Sequence, residues 1–232
     1  MGEWECRPAG EGALYVVVGE RPVREVTQEV QLVVRALREG LGSQLLDVVP
    51  GYISVYVEFD PQLWSFADLR AAIAALARAP RPPAQPRLIT VPVCYGGAWG
   101  PDLGAVAAGN GLTEDEVVRR HLGPTYEVAF IGFTPGFPFL TGLDERLATA
   151  RLAVPRRRVP RGSVGIAGEQ TGIYPVASPG GWRIIGRTGL SLFDPASAEP
   201  VLMRPGDRVR FVASPDALPV DPFLEAGPGG PG

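Results

Sequence analysis

The 232-residue sequence predicts an α+β chain in two successive parts, a βαββαβ unit followed by an all-β unit. Two stretches with apolar residues at helical spacing lie ahead of a proline-rich segment, "PRPPAQP". Beyond Tyr126 only short β-like runs appear, separated by glycine and proline turn signals.

In order, "ALYVVV" (Ala13 to Val18) reads as a short buried strand. Val26, Val30, Val33, Val34 and Leu37 then recur at helical spacing, and Gly40 and Gly42 stop that helix. "QLLDVV" and "YISVYVEF" are strands split by the turn pair Pro50-Gly51. Leu69, Ala72, Ile73 and Leu76 mark a second amphipathic helix, with Ser65 as its N-cap. "RLITVPV" resumes as a strand that either part can claim. The order β-α-β-β-α-β is the split pattern of ferredoxin-like domains. Leu103 to Ala108 is expected to form a short helix ending at Gly109-Asn110-Gly111, and Thr113 with Glu116 forms a capping box that opens another through about Leu122. The runs "YEVAFI", "SVGIAG", "GIYPVA", "WRIIGRT", "LSLFD" and "RVRFVA" have the spacing of a barrel or sandwich. The expected boundaries are 1–86 for the first domain, 87–223 for the second and a disordered tail over 224–232.

Composition excludes several functions. The chain contains no lysine, which removes a phosphate-loop lysine and any Schiff-base lysine. His121 is the single histidine, and Cys6 and Cys94 are isolated, so no zinc site is expected. A carboxylate-only magnesium site stays open. The net charge of −3 argues against nucleic acid as a partner. No apolar run reaches membrane-spanning length, and the N-terminus lacks a signal-peptide layout, so a cytoplasmic protein is expected.

Four segments carry a resemblance: "VPVCYGGAWGPDL", "FIGFTPGFPFLTGLD", "PRRRVPRGSVGIAGEQTGIYPVASPGGWRIIGRTGLSLFDP" and "MRPGDRVRFV". Together they resemble the KipI / allophanate-hydrolase-subunit-1 family, densely from about Pro92 to Val212. The resemblance implies an α/β domain followed by a cyclophilin-like β-barrel. It further implies the non-autonomous B subunit of an ATP-dependent 5-oxoprolinase, which opens the lactam of 5-oxoproline to L-glutamate. The implied partners are a homologous cyclophilin-like subunit of the allophanate-hydrolase-subunit-2 type and a third, metal-dependent-hydrolase-like subunit. ATP and magnesium act at the level of that complex, and the chain alone is expected to be inactive. The alternatives are a binding module that inhibits a sensor histidine kinase, as KipI does, or a urea- or allophanate-related amidohydrolase subunit.

The candidate residues follow from the chemistry of a small lactam acid. Gln170, Thr171 and Tyr174 supply neutral hydrogen-bonding groups near a turn, suited to an amide or merely capping a hairpin. Arg183 and Arg187 are expected on one strand face, where their guanidinium forks would hold a carboxylate. "GFTPGFPFL" is too constrained for a loop and too broken for a strand. It is read as a rigid aromatic ledge with Thr134, Phe137 and Phe139, or as a plug closing the barrel end. Arg156, Arg157, Arg158 and Arg161, in a run without acids, are read as a solvated loop or as a docking surface for an anion or partner. Cys94 and His121 are the one available nucleophile–base pair; a buried thiol and a helix-end histidine, favoured in its protonated form, are the default. No complete catalytic set is visible.

Overall fold

The structure is a computed structural model that describes residues 4–20, 24–78 and 86–214. The first lobe contains β1 (Glu5–Pro8), β2 (Ala13–Val17), α1 (Arg24–Gly40), β3 (Asp47–Pro50), β4 (Ser54–Glu58) and α2 (Phe66–Arg78). Its antiparallel sheet runs in the order β1-β2-β4-β3. Strand alternation sends Leu14, Val16, Val48, Val55 and Val57 into one core with Val30, Val33, Val34 and Leu37 of α1 and Leu69 and Ile73 of α2. The helical spacing read from the sequence is the buried face in both helices. Ser65 caps α2 as expected, its Oγ accepting from the Asp68 N–H at 3.2 Å.

The described elements of this lobe run ββαββα rather than βαββαβ, so the ferredoxin-like order is not confirmed. β1 precedes the strand expected first. "RLITVPV" belongs to β5 (Leu88–Tyr95), which pairs within the second lobe instead. The physical reason is its partner: β5 aligns along most of its length with a strand from the far end of the chain, from Leu88 opposite Arg208 to Val93 opposite Ala213.

After β5 come α3 (Leu103–Gly109), α4 (Glu114–Leu122), β6 (Tyr126–Ile131), β7 (Pro138–Thr141), β8 (Arg156–Val159), β9 (Ser163–Ala167), β10 (Gln170–Ile173), β11 (Ser178–Gly180), β12 (Arg183–Arg187) and β13 (Arg208–Ala213). Seven strands close a barrel in the order β10-β7-β6-β13-β5-β12-β9, consistent with the cyclophilin-like barrel implied above. All its pairings are antiparallel except β5 with β13. Val91, Val93, Val128, Leu140, Val164, Ile166, Ile173, Ile185 and Phe211 fill the interior. The Thr113–Glu116 capping box opens α4 as expected. β8 and β11 form a separate two-stranded sheet. The arginine run read as a loop is therefore in part a strand, and its Val159 packs into a second apolar cluster with Phe137, Ala167, Tyr174, Trp182 and Ile184.

The lobes touch directly. Gln28 Nε2 donates to Glu127 Oε2 at 3.2 Å and Gln31 Nε2 to the Ala129 carbonyl at 2.7 Å, both from α1 to β6. A groove of about 1000 Å³ runs beside this contact, lined by Glu25, Arg35, Arg38, Arg87, Arg204 and Arg208 among others. The expected tail over 224–232, like residues 79–85 with most of the proline-rich stretch, lies outside the described residues.

Candidate functional site

β7 and β10 are neighbours, with Phe139 opposite Gly172 and Leu140 opposite Thr171. Along β10 alternate residues face opposite ways, which separates the three groups expected to act together. Thr171 and Ile173 point inward, while Gln170, Gly172 and Tyr174 share the outer face. Gly172 is needed there, because a Cβ would sit 3.0 Å from the Phe137 ring and 2.9 Å from the Pro138 carbonyl oxygen.

On that outer face the aromatic residues form a chain of ring contacts. Phe137 lies 4.8 Å from Phe139, 5.1 Å from Tyr174 and 5.4 Å from Trp182, centroid to centroid. Phe137, Tyr174 and Trp182 are buried. The sequence "GFTPGFPFL" is thus less an open ledge than one side of a satellite core, sealed by the β8–β11 sheet. Burial raises the Tyr174 hydroxyl pKa, and a hydrogen bond with the Trp182 backbone opposes that shift. Gly180 packs against this hydroxyl, at a distance where a Cβ would come within 2.9 Å of the ring atoms.

The two ends of this aromatic chain differ. At one end Tyr52, from the turn between β3 and β4, enters the barrel lobe. Its ring lies 4.5 Å from Phe130 and 5.9 Å from Phe139, and its hydroxyl donates to Gln170 Oε1 at 2.6 Å. Gln170 and Phe139 therefore hold the lobes together; Gln170 Nε2 is buried with no hydrogen-bond partner. At the other end Phe133 stands 63% exposed against Phe137 and Tyr174, and the neighbouring Thr134 Oγ1 is buried and unpartnered.

Thr171 joins a buried polar chain inside the barrel. Its hydroxyl donates to the Gly165 carbonyl at 2.9 Å, so it accepts from His121 Nε2, 3.0 Å away. His121 Nδ1 is then the acceptor for the Tyr95 hydroxyl at 2.7 Å. His121 is fully buried against Phe211 and Tyr126, with ring centroids 4.5 and 5.4 Å away. Burial drives its pKa down from 6.5 to about 3. This corrects the expectation of a protonated histidine: at the end of α4, desolvation outweighs the helix dipole. Cys94 Sγ is buried and donates to the Ser214 carbonyl at 2.8 Å. Both nitrogens of His121 are occupied by Tyr95 and Thr171, so no Cys94–His121 pair forms.

The arginines also separate. On β12, Arg183 is opposite Ile166 and Arg187 opposite Ser163, with a bulge between Ile184 and Gly186. Ile166 and Ser163 have opposite parity on β9, so the bulge puts the two arginines on opposite faces, not on one. Arg183 Nε donates to the Ala150 carbonyl at 3.3 Å. Arg187 is buried; its Nε donates to the Arg161 carbonyl at 2.7 Å, and its guanidinium lies 5.5 Å from the Trp99 ring centroid. Arg156 pairs with buried Asp102 at 2.8 Å, while the other Asp102 oxygen accepts from the Ile184 N–H at 2.6 Å. Arg156 and Arg187 line a cavity of about 240 Å³ with Trp99, Ser163 and Ile184. Arg157, Arg158 and Arg161 are exposed. Among the described residues, no cluster of histidine, cysteine or carboxylate side chains is placed to hold a metal ion, and no helix is long and apolar enough to cross a membrane.

Tyr52, Trp182, Trp99 and Asp102 were not singled out in the sequence. Tyr52 directly follows the Pro50-Gly51 turn, and an aromatic residue at such a tip is the signal that marks it.

The profile of the carboxyltransferase domain, subdomain C and D, matches residues 4–203. The 5-oxoprolinase B subunit of Escherichia coli O157:H7 is 59% identical over 132 residues, which are 57% of this chain and 61% of that protein. The 5-oxoprolinase B subunit of Bacillus subtilis (strain 168) is 37% identical over 227 residues, 90% of this chain and 92% of that one. Among solved structures, TTHA0988 superposes with a TM-score of 0.78 at 39% identity, over 89% of this chain and 40% of that chain. This chain thus spans less than two thirds of the length of the E. coli relative and of TTHA0988.

Proposed function

The chain belongs to the carboxyltransferase domain family, subdomain C and D, and on that footing we propose that it is the B subunit of an ATP-dependent 5-oxoprolinase. The observation that carries this reading is the 37% identity to a 5-oxoprolinase B subunit across 90% of this chain and 92% of the other. In the proposed reaction the lactam oxygen takes the γ-phosphoryl group of ATP and ADP leaves; water adds to the activated carbon and the ring C–N bond breaks, and a second water releases phosphate to give L-glutamate.

The chain's own part is binding. Its potential nucleophile and base are engaged elsewhere, Cys94 with Ser214 and His121 with Tyr95 and Thr171. A sequence without lysine does not fit a phosphate loop, so ATP and magnesium are assigned to the complex. The partners are a homologous cyclophilin-like subunit and a metal-dependent-hydrolase-like subunit. Gln170 Nε2, buried without a partner, is the atom proposed to meet the lactam in the complex; Thr134 Oγ1, at the other end of the aromatic chain, is proposed to meet a companion subunit. Arg183 keeps the outer part of its guanidinium for a carboxylate.

The test is reconstitution. The chain alone, with ATP, magnesium and 5-oxoproline, should release no glutamate; the three-subunit mixture should. Turnover by the isolated chain, or none by the full mixture, overturns the reading.

A further inference from the structure

Phe133 is the one non-glycine residue with positive φ, 64°, among the described residues. A bulky aromatic side chain in that region is strained, and such strain persists only where surrounding structure imposes it. Here the surroundings are rigid. The Thr134 N–H donates to the Gly132 carbonyl at 2.7 Å, the Phe137 N–H to the Thr134 carbonyl at 3.0 Å and the Gly132 N–H to the Phe137 carbonyl at 3.1 Å. Pro135 and Pro138 limit the loop further. Phe133 is 63% exposed on this loop, and its ring rests edge-on against Phe137 at 5.5 Å and Tyr174 at 6.3 Å. A fixed aromatic side chain standing on a buried aromatic base is the form of an interface anchor, because little entropy remains to be lost when a socket closes over it.

We infer that Phe133 is the anchor by which this chain docks a companion protein equivalent to the part of TTHA0988 that it does not cover; this rests on the subunit reading above. TTHA0988 is a single polypeptide of which this chain matches 40%, and in the subunit reading the equivalent of its remaining part is a companion protein. The companion's surface should offer an apolar socket with an acidic or neutral rim. Exposed Arg157 and Arg158 lie on β8, the strand whose Val159 packs into the aromatic cluster beneath Phe133.

The strain makes the inference testable. Glycine adopts φ of 64° without cost, so Phe133→Gly relieves the backbone while deleting the ring. The companion protein from the same organism, chosen by similarity to the uncovered part of TTHA0988, is purified and titrated against the full chain by calorimetry. Phe133→Gly should weaken binding more than tenfold, on the order of 30-fold, with the melting temperature of the free chain unchanged or raised. A loss under tenfold overturns the inference, as does a loss accompanied by a clear fall in melting temperature, which would make Phe133 structural. If the wild-type chain does not bind the companion, the subunit reading falls as well. Normal binding by Phe133→Gly within a complex that still hydrolyses 5-oxoproline removes this inference alone.

Discussion

The Tyr52 hydroxyl donates to Gln170 Oε1 across 2.6 Å, joining a turn of the N-terminal lobe to the outer face of the barrel. Burial raises the Tyr52 pKa, and its bond to Gln170 works against that shift. Tyr52→Phe leaves Gln170 Oε1, in a part-buried contact, without its donor, beside a buried Nε2 that already lacks an acceptor. The expected loss is about 1–3 kcal/mol in urea denaturation. Adding Gln170→Leu to Tyr52→Phe should recover part of it, because both polar partners are then gone.

His121 predicts a pH dependence. Above 6.5 the imidazole is neutral in folded and unfolded chains alike. Between 6.5 and about 3 the unfolded chain takes the proton and the folded chain does not, so stability falls as pH falls. From pH 7 to 5 the loss should be about 2 kcal/mol. Asp144, held below its ordinary pKa by the Arg120 side chain, loses its contribution only in more acid solution. Denaturation curves of His121→Gln should show lower stability at pH 7 but a flat profile over that interval.

The arginine run should divide by burial. Arg156→Gln strands the Asp102 carboxylate in the barrel wall and should cost about 2 kcal/mol, below the full cost of a buried pair because Arg156 is partly exposed. Arg157→Gln with Arg158→Gln should stay within about 0.5 kcal/mol each. Melting temperatures of the three variants decide this; equal losses at all three positions would contradict the assignment.

Gly180→Ala should cost about 1–3 kcal/mol by overpacking, since the new methyl group meets the fixed Tyr174 ring. Combining it with Tyr174→Phe, which removes the nearest atom, should cost less than the two changes summed. Chemical denaturation of the single and double variants measures this.

Local features were legible in the sequence. The helical spacing of Val30, Val33, Val34 and Leu37, the Ser65 cap and the Thr113–Glu116 box are short-range patterns with short-range causes. The chemistry of a small lactam acid links "GFTPGFPFL", "GEQTGIYP" and "WRIIGRT" in one groove; β7 does pair with β10, while the bulge in β12 parts the two arginines of the third stretch. What failed depended on neighbours distant in sequence. The bulge beside Ile185 reverses the parity of Arg183 and Arg187, and nothing local marks it. Phe137 reads as a wall residue and Tyr174 as a hydrogen-bonding group because the β8–β11 cover is invisible from their own segments. His121 was judged by its helix, while its surroundings come from Tyr95, Tyr126, Thr171 and Phe211.

The parallel seam between β5 and β13 has a consequence for biosynthesis. The strands it joins, Leu88 opposite Arg208, are the first and last of the barrel, on the order of 120 residues apart. At typical ribosomal speed about ten seconds separate their synthesis. The N-terminal sheet is complete at Glu58 and its second helix at Arg78, so that lobe can mature on the nascent chain. β5 meanwhile waits with its Val91 and Val93 uncovered. A ribosome stalled before Arg208 therefore releases a finished lobe tethered to an unclosed cylinder, the species for which a chaperone would have to compete.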